Sequence, residues 1–272
     1  CRRLAADPSK PFRRYELWGL RALARLNARM GKHYIVLSEH LRGVVQGHGA
    51  RGTIDLIPVY GVDTELFRPA TERQDVLKAR AGLPASGKAI FYSSRIAPEK
   101  DSETLLKAFR MLRDAGRELW LLHRSGGFAA FLNKAREFGV AERIVATDAV
   151  HPCGQLPADY QACDLCVQAS REEGLGFSPL EALACEVPVV AAAVGGLRET
   201  ILDGKTGWTY PAGDAETLAA RMAEALDGPE EAHRRTECGR RMVAERYESR
   251  LCFDQLRDLL ARSVEEARDG RR

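Results

Sequence analysis

The sequence predicts an α/β protein built on a doubly wound parallel sheet. From Lys88 onward, short apolar runs alternate with helical stretches, which is typical of parallel strands joined by crossover helices. The runs are almost continuously apolar, so both faces of the sheet should be covered. One run also leads through a glycine-containing loop into a helix. In parallel sheets, such a strand–loop–helix unit is where a phosphate-bearing ligand binds. The apolar runs lie at 89–92, 119–122, 144–146, 165–167, 187–192 and 208–210.

Length and composition are compatible with this class and exclude several others. The 272 residues suffice for one large or two small domains. The 41 Lys and Arg residues nearly balance the 38 Asp and Glu residues, which argues against nucleic acid as a partner. The sequence contains neither an apolar run of about 18 residues nor an evident secretory signal. The 7 cysteines lack a disulfide-framework spacing, which favours a reducing, cytoplasmic compartment.

The beginning of the chain predicts a short β-α-β unit. Strands at 34–38 and near 54–57 flank a helix. A unit this short cannot form a closed domain, and the chain begins at Cys1 rather than Met. We therefore expect further sequence upstream.

An amphipathic helix at 11–30 precedes this unit. The favoured interpretation is a surface helix with a solvated basic face. The alternative is peripheral contact with anionic lipid on the inner face of a membrane, because basic amphipathic helices can lie in the membrane interface. Its apolar side comprises Leu17, Leu20, Leu23, Leu26 and Met30, and its basic side comprises Arg21, Arg25 and Arg29.

A glycine loop between two glutamates is the leading candidate for a ligand site. Glu173 and Glu181 bracket seven residues, which include two glycines followed by Ser178 and Pro179. Ser178 is predicted as the helix N-cap and Pro179 as the first helical residue. Glu181 then completes a capping box. A predicted strand at 164–168 precedes the loop, so backbone N–H groups and the positive helix end should face a phosphate-bearing ligand.

This region resembles the donor-binding half of the retaining glycosyltransferases of family four, the group 1 glycosyltransferases. The resemblance rests on the run E-G-L-G-F-S-P-L-E-A-L-A at 173–184, the strand Val187–Ala191 and the run G-G-L-R-E-T at 195–200. Those enzymes have two Rossmann-like domains in the GT-B arrangement. The resemblance therefore implies the C-terminal, Rossmann-like half of a GT-B protein with an incomplete N-terminal β-α-β portion. Glu186 replaces the glycine usual after the helix, which implies a different C-cap.

The resemblance also implies a domain organisation. The segment Gly61–Pro69 is similar to the family's crossing segment, usually N-G-V-D-x-x-x-F-x-P. The implied parts are a remnant of the acceptor-binding domain with the crossing segment at 1–69, the nucleotide-sugar donor-binding domain at 70–228, and C-terminal helices that pack back toward the first domain at 229–272.

A second charged motif, at 94–101, resembles the family's G-R-x-x-x-x-K, in which Arg and Lys hold the donor diphosphate. Breaking the sugar–phosphate bond gathers negative charge on the diphosphate, which two fixed cations stabilise without a metal. The resemblance implies these roles for Arg95 and Lys100. It places Glu173 beside the donor sugar, as an orienting or charge-stabilising group rather than a nucleophile, and Glu181 at a ribose hydroxyl. The remaining implied donor contacts are backbone groups of Gly174, Leu175, Gly176, Phe177 and Ser178, and nucleobase contacts at Val150 and His151.

The implied function is retaining transfer of a sugar from a nucleotide-diphosphate sugar to a sugar, lipid-linked or small-molecule acceptor, in glycan or glycolipid biosynthesis. No cofactor or metal is expected. In the family, the first domain supplies a Gly-rich loop and a histidine, which would lie upstream of Cys1. We therefore expect this chain to bind the donor and to transfer poorly by itself.

Three alternatives stay open beside this interpretation. A non-catalytic nucleotide-sugar-binding or interaction module would share the donor site. A dinucleotide oxidoreductase is disfavoured, because no G-x-G-x-x-G follows the first strand of the Rossmann-like half. A zinc site formed by His151, Cys153, Cys163 and Cys166 is disfavoured, because Cys166 lies in a predicted strand and Cys163 at a helix end.

Overall fold

The computed structural model describes residues 14–147 and 153–269. The chain divides into two compact units, Cys1–Pro58 and Val59–Arg272. The predicted domain limits at residues 69 and 228 stay predictions. Among the described residues, no helix combines the length and the apolar character that spanning a bilayer requires.

The described part of the first unit contains the predicted β-α-β arrangement. Its elements are α1 (Arg14–Met30), β1 (His33–Val36), α2 (Glu39–Gly47) and β2 (Thr53–Leu56). β1 and β2 pair in parallel, with His33 opposite Thr53. The Ser38 hydroxyl accepts a hydrogen bond from the Leu41 N–H at 3.2 Å and so begins α2. The predicted strands and connecting helix are therefore confirmed.

The second unit is a parallel sheet with flanking helices. Its strands are β3 (Lys88–Tyr92), β4 (Leu119–Arg124), β5 (Ile144–Thr147), β6 (Leu165–Gln168), β7 (Val189–Ala192) and β8 (Trp208–Tyr210). Its helices are α3 (Gln74–Arg80), α4 (Ser102–Asp114), α5 (Phe128–Glu137), α6 (Leu156–Gln161), α7 (Phe177–Ala184), α8 (Leu197–Thr200), α9 (Ala215–Asp227), α10 (Pro229–Arg246) and α11 (Ser249–Asp269). The strand order is β5-β4-β3-β6-β7-β8, which confirms the predicted doubly wound sheet.

The strand order reverses between β3 and β6, at the switch point of the sheet. β3 pairs with β4 on one side and with β6 on the other. In doubly wound sheets, ligands bind outside the carboxyl ends of the strands at this point. The loop carrying Arg95 and Lys100 follows β3, and the loop carrying Glu173 follows β6. The topology therefore delivers both charged motifs to the same edge of the sheet.

The core explains why these strands are almost continuously apolar. Every residue of β6 and β7 is buried, because helices cover both faces of the sheet. Fully buried side chains of α4 and α9, including Phe109 and Met222, join Ile90, Val167 and Val190 in one apolar cluster. Each fully buried side chain of this size contributes about 1.5–3 kcal/mol. The loops at the switch point therefore extend from strands that are packed in the core.

The segment Gly61–Pro69, called here the crossing-type segment, is held by the start of α11. Gly61 has a φ of 59°, and a Cβ at this position would lie 2.5 Å from the Ser249 Cα. The Val62 N–H donates to the Tyr247 carbonyl at 2.6 Å, and the Ser249 N–H donates to the Val62 carbonyl at 3.0 Å. A glycine is therefore needed both for the left-handed backbone and for the close approach.

The start of α7 differs from the prediction. The N-cap is Gly176, in a left-handed conformation with φ 91° and ψ 76°, and Phe177 is the first helical residue. The assignments of Ser178 as N-cap and of Pro179 as the first helical residue are therefore wrong, and the predicted capping box with Glu181 does not form. The glycine turns the chain into the helix two residues earlier, because it adopts this backbone without steric cost.

The end of α7 also differs from the prediction. Glu186 adopts the left-handed conformation with φ 57°. Its N–H donates to the Leu183 carbonyl at 3.0 Å, and the Val187 N–H donates to the Ala182 carbonyl at 2.9 Å. This is the Schellman arrangement that a glycine usually completes. The expectation of a different C-cap is therefore wrong: the cap is the usual one, and Glu186 carries the left-handed strain of about 1–2 kcal/mol.

Candidate functional site

The loop after β3 is fixed by a tyrosine and an aspartate. The Tyr92 hydroxyl donates to the Lys100 carbonyl at 3.0 Å. Burial raises the pKa of Tyr92, so the hydroxyl keeps the proton that it donates. Asp101 adopts φ 46° and caps α4, accepting from the Thr104 hydroxyl at 2.8 Å. Lys100 is therefore held at the end of the short 3₁₀ turn Pro98–Lys100.

Arg171 joins the two switch-point loops. Its backbone N–H donates to the Glu99 carbonyl at 2.8 Å. Its Nε lies 2.9 Å from Asp101 Oδ2. Both acceptors belong to the loop after β3, whereas Arg171 follows β6. The loops carrying Lys100 and Glu173 are therefore joined directly by protein contacts.

Lys100 and Glu173 meet directly. Lys100 Nζ lies 2.5 Å from Glu173 Oε2, and both side chains are more than four-fifths buried, with 18% and 17% of their surface exposed. The same oxygen accepts from the Ser170 hydroxyl at 3.1 Å and from Gln168 Nε2 at 3.3 Å. In the described part of the chain, Glu173 Oε1 has no hydrogen-bond partner. The carboxylate is therefore oriented through one oxygen and can accept a ligand hydroxyl through the other.

The loop after β7 supports the Glu173 backbone. A Cβ on Gly195 would lie 2.0 Å from the Glu173 carbonyl oxygen, and the Gly196 N–H donates to that oxygen at 3.1 Å. A Cβ on Gly176 would lie 2.5 Å from Leu197 Cδ2. The paired glycines of the G-G-L-R-E-T run are needed because the two loops touch through their backbones. The pairing of glycines was the only sequence signal of this contact.

Arg95 occupies an open position. Its side chain is 67% exposed, and Nη2 lies 2.9 Å from Glu99 Oε1. The Glu99 side chain is only 12% exposed, so the pair is buried on the carboxylate side, whereas the Arg95 guanidinium is open to solvent and can approach an anionic ligand. Arg95 and Lys100 therefore bring two cations to the carboxyl edge of β3.

Glu181 lies on α7, behind the glycine loop, and contacts Tyr160. The Tyr160 hydroxyl lies 2.7 Å from Glu181 Oε2 and 2.7 Å from the Ser178 hydroxyl. Burial raises the pKa of Glu181, and the hydrogen bond from Tyr160 lowers it in part. Tyr160 carried no signal in the sequence, because its approach to α7 depends on tertiary packing.

Two of the predicted contacts lie outside the described residues. The nucleobase contacts at Val150 and His151 therefore stay predictions. Cys163 and Cys166 are buried free thiols, and burial raises the pKa of each. Within residues 14–147 and 153–269, no group of three His, Cys, Asp or Glu side chains could hold a metal ion.

The fold and the site together define a Rossmann-like α/β protein with paired cations and a helix N-terminus at its switch point. Comparison with known proteins identifies the family. Residues 73–242 match the family model of glycosyl transferases group 1. The chain therefore belongs to the glycosyl transferases group 1 family, which confirms the resemblance inferred from the motifs.

Similar proteins agree with this assignment. A GDP-mannose-dependent alpha-(1-6)-phosphatidylinositol monomannoside mannosyltransferase of Mycolicibacterium smegmatis is 32% identical over 210 residues, which cover 74% of this chain and 54% of the relative. The chain spans about half the length of the curated relatives it matches.

Solved structures share the fold. Sucrose-phosphate synthase from Thermosynechococcus elongatus matches with a TM-score of 0.81 and 25% identity, over 96% of this chain and 64% of that chain. Anabaena HepE, solved in complex with UDP and glucose, matches with a TM-score of 0.79 and 20% identity, over 90% of this chain and 67% of that chain. These matches confirm the predicted GT-B class and Rossmann-like sheet.

Proposed function

We propose that this chain provides the donor site of a glycosyltransferase that uses a nucleoside-diphosphate sugar and retains the anomeric configuration. The observation that carries the proposal is the meeting of Lys100 and Glu173 at the switch point, on two loops that Arg171 ties together. This is the position at which doubly wound sheets bind nucleotides.

Each charged group has a role in this proposal. Arg95 and Lys100 neutralise the diphosphate as the sugar–phosphate bond breaks, since fixed cations stabilise charge that develops in the transition state. Backbone N–H groups at the start of α7 face the same phosphates. Glu173 accepts a hydroxyl of the donor sugar through Oε1, and Glu181 accepts a ribose hydroxyl. No metal is required in this arrangement.

Retention follows from the proposed arrangement of the leaving group. The leaving diphosphate assists removal of the acceptor proton on the same face of the sugar, so no pair of carboxylates of the glycosidase type is required. Glu173, held by Lys100, Ser170 and Gln168 through one oxygen, is suited to orienting the sugar rather than attacking it.

The similar proteins agree in the class of donor and differ in the base. The M. smegmatis relative is named as GDP-mannose-dependent, whereas HepE was solved with UDP and glucose. Both names involve a nucleoside diphosphate and a hexose, but the bases differ. We therefore propose a nucleoside-diphosphate hexose and leave the base and the acceptor to experiment.

Saturation-transfer NMR on the 272-residue chain tests this function. With UDP-, GDP- and ADP-hexoses, we expect saturation of the ribose and hexose protons of one donor class. Lys100→Ala should abolish the signal, and Lys107→Ala, which removes an exposed lysine of α4, should not. Equal signals in the two variants would refute the donor site. In any transfer reaction, an inverted anomeric configuration in the product would refute retention. Poor transfer by this chain alone stays a prediction.

We also propose, against the interpretation that the sequence alone favours, that the amphipathic helix α1 contacts anionic lipid peripherally. In the described part of this helix, Trp18 and Met30 are each 72% exposed, and arginines line another side. We expect the chain to co-sediment with vesicles containing phosphatidylglycerol and not with phosphatidylcholine vesicles. Binding should be lost in Arg21→Glu/Arg25→Glu. Equal sedimentation with both lipids, or with neither, would refute this contact and favour a solvated face.

A further inference from the structure

Tyr160 is a buried tyrosine whose ring is fixed on two sides. Its residue surface is 0% exposed. The ring packs edge-on against Phe91 of β3, with centroids 4.6 Å apart, and against Phe67 of the crossing-type segment, with centroids 6.1 Å apart. Such aromatic pairs favour one ring orientation. The position of the hydroxyl is therefore set by the core and does not depend on a ligand.

The hydrogen bonds of this hydroxyl have a fixed direction. An ionised carboxylate only accepts hydrogen bonds, so Tyr160 gives its single proton to Glu181 Oε2 at 2.7 Å. The phenol oxygen then accepts from the Ser178 hydroxyl, also at 2.7 Å. The chain of donation runs from Ser178 through Tyr160 to Glu181. Burial raises the pKa of Tyr160, so its proton stays in place.

Neither Ser178 nor Glu181 is used in capping α7, because Gly176 begins the helix. Both side chains instead meet at one phenol, one helical turn apart. In the described part of the chain, Glu181 Oε1 has no hydrogen-bond partner. Tyr160 thus fixes one carboxylate oxygen of Glu181 and leaves the other for a hydroxyl group outside this cluster.

We propose that Tyr160 is a positioning residue that orients Glu181 to accept a ribose hydroxyl of the donor nucleotide. This inference rests on the proposed function. Tyr160 acts through Glu181 and does not itself touch the ligand. A glutamate side chain has several rotatable bonds, and ordering them when the ribose binds would cost conformational entropy. The hydrogen bond from Tyr160 orders the Glu181 side chain beforehand, so this cost is smaller. Loss of this charge-assisted hydrogen bond should weaken ribonucleotide binding by about tenfold.

A binding cycle with deoxy ligands tests the proposal. Calorimetry would measure UDP, GDP and ADP against their 2′,3′-dideoxy forms, with wild type, Tyr160→Phe and Tyr210→Phe. Tyr210 is a matched control, because its buried hydroxyl has no hydrogen-bond partner among the described residues. We expect Tyr160→Phe to weaken the ribonucleotide about tenfold and to leave the affinity for the dideoxy form unchanged. Tyr210→Phe should match wild type for both ligands.

The pH dependence provides a second readout. The hydrogen bond from Tyr160 lowers the pKa of Glu181, so Tyr160→Phe should raise that pKa. As the pH is lowered, Glu181 should therefore become protonated, and the affinity for the ribonucleotide should fall, at a higher pH in Tyr160→Phe than in wild type. Ser178→Ala keeps the Tyr160 hydroxyl and removes only the group that donates to it, so it should lower the ribonucleotide affinity less than Tyr160→Phe does. This variant replaces Tyr160→Phe in the test if Tyr160→Phe does not fold.

The outcomes separate this inference from the proposed function. Equal losses for the ribonucleotide and the dideoxy form would overturn the positioning role, because a general packing defect acts on both. An unchanged ribonucleotide affinity in Tyr160→Phe would overturn it as well. If folded wild type binds none of UDP, GDP and ADP, both the donor site and the role of Tyr160 are refuted.

Discussion

Replacing Glu173 by glutamine should tighten the binding of a nucleoside diphosphate. Lys100 is paired with Glu173. A diphosphate that binds Lys100 must either compete with this carboxylate or tolerate its charge nearby. Glu173→Gln removes the competing charge and keeps the size of the side chain. The gain should appear with the diphosphate alone, which lacks the sugar that Glu173 is proposed to hold.

The magnitude follows from the geometry. Glu173 Oε2 lies 2.5 Å from Lys100 Nζ, so a phosphate oxygen about 2.8 Å from the ammonium lies within about 5 Å of the carboxylate. Two unit charges at that distance repel by about 3 kcal/mol at an effective dielectric constant of about 20. Partial exposure and the retained hydrogen bonds from Ser170 and Gln168 reduce this value. We expect about half of it, which corresponds to about tenfold tighter binding.

Calorimetric titration with UDP and GDP measures this effect. Glu172→Gln is the matched control, since it makes the same charge change at the adjacent residue. The gain should be smaller for the nucleoside-diphosphate hexose, because Glu173→Gln weakens a hydrogen-bond acceptor for the sugar. Unchanged or weaker diphosphate binding in Glu173→Gln would refute the reasoning. So would equal tightening in Glu172→Gln, which would indicate a general effect of net charge.

Three further predictions concern stability. Glu181→Gln should stabilise the fold at pH 7, because burial raises the pKa of Glu181 and the ionised carboxylate therefore destabilises the folded state once the pH exceeds that raised pKa. The gain, measured as a higher urea midpoint, should vanish below the pKa of about 4.3 that the group has in the unfolded chain. Glu186→Gly should stabilise the fold by about 0.5 kcal/mol, because it relieves a left-handed strain of about 1–2 kcal/mol but adds the entropic cost of a glycine, about 0.5–1 kcal/mol. Glu186→Ala retains the strain, so equal urea midpoints for the two variants would contradict this prediction. Asp164→Asn should cost about 3 kcal/mol, because it leaves the Lys78 charge, 3.3 Å away and 7% exposed, without its buried partner; a loss below 1 kcal/mol in urea unfolding would contradict it.

The strands could be predicted from the sequence because they are buried on both faces. The runs at 89–92 and 165–167 were each found within one residue of the observed limits of β3 and β6. The strand–loop–helix order predicts the position of the glycine loop with Glu173, whereas Arg95 and Lys100 are indicated by the resemblance to the family motif and the switch point itself is seen only in the strand order of the structure. Local patterns suffice for the glycine loop because a parallel sheet brings the carboxyl ends of its strands to one edge.

The contacts inside the site could not be predicted in the same way. Ser178 and Glu181 fit a capping box by spacing, but a left-handed Gly176 begins the helix first. Tyr160 lies 18 residues before Ser178 in sequence, and only tertiary packing brings the two hydroxyls together. The same holds for Arg171 and Asp101, which pair across two loops. Sequence spacing predicts which residues share an element, whereas packing decides which partners they meet.

The central claim is that the switch point binds a nucleoside-diphosphate sugar through fixed cations. The most direct test is calorimetric titration of UDP-, GDP- and ADP-sugars into this chain, in EDTA and in Mg²⁺, with Arg95→Ala and the matched control Arg110→Ala, an exposed arginine of α4. We expect one nucleotide class to bind equally with and without metal, about tenfold more weakly in Arg95→Ala, and unchanged in Arg110→Ala. Absence of binding by the folded chain, or equal binding by Arg95→Ala, would contradict the claim.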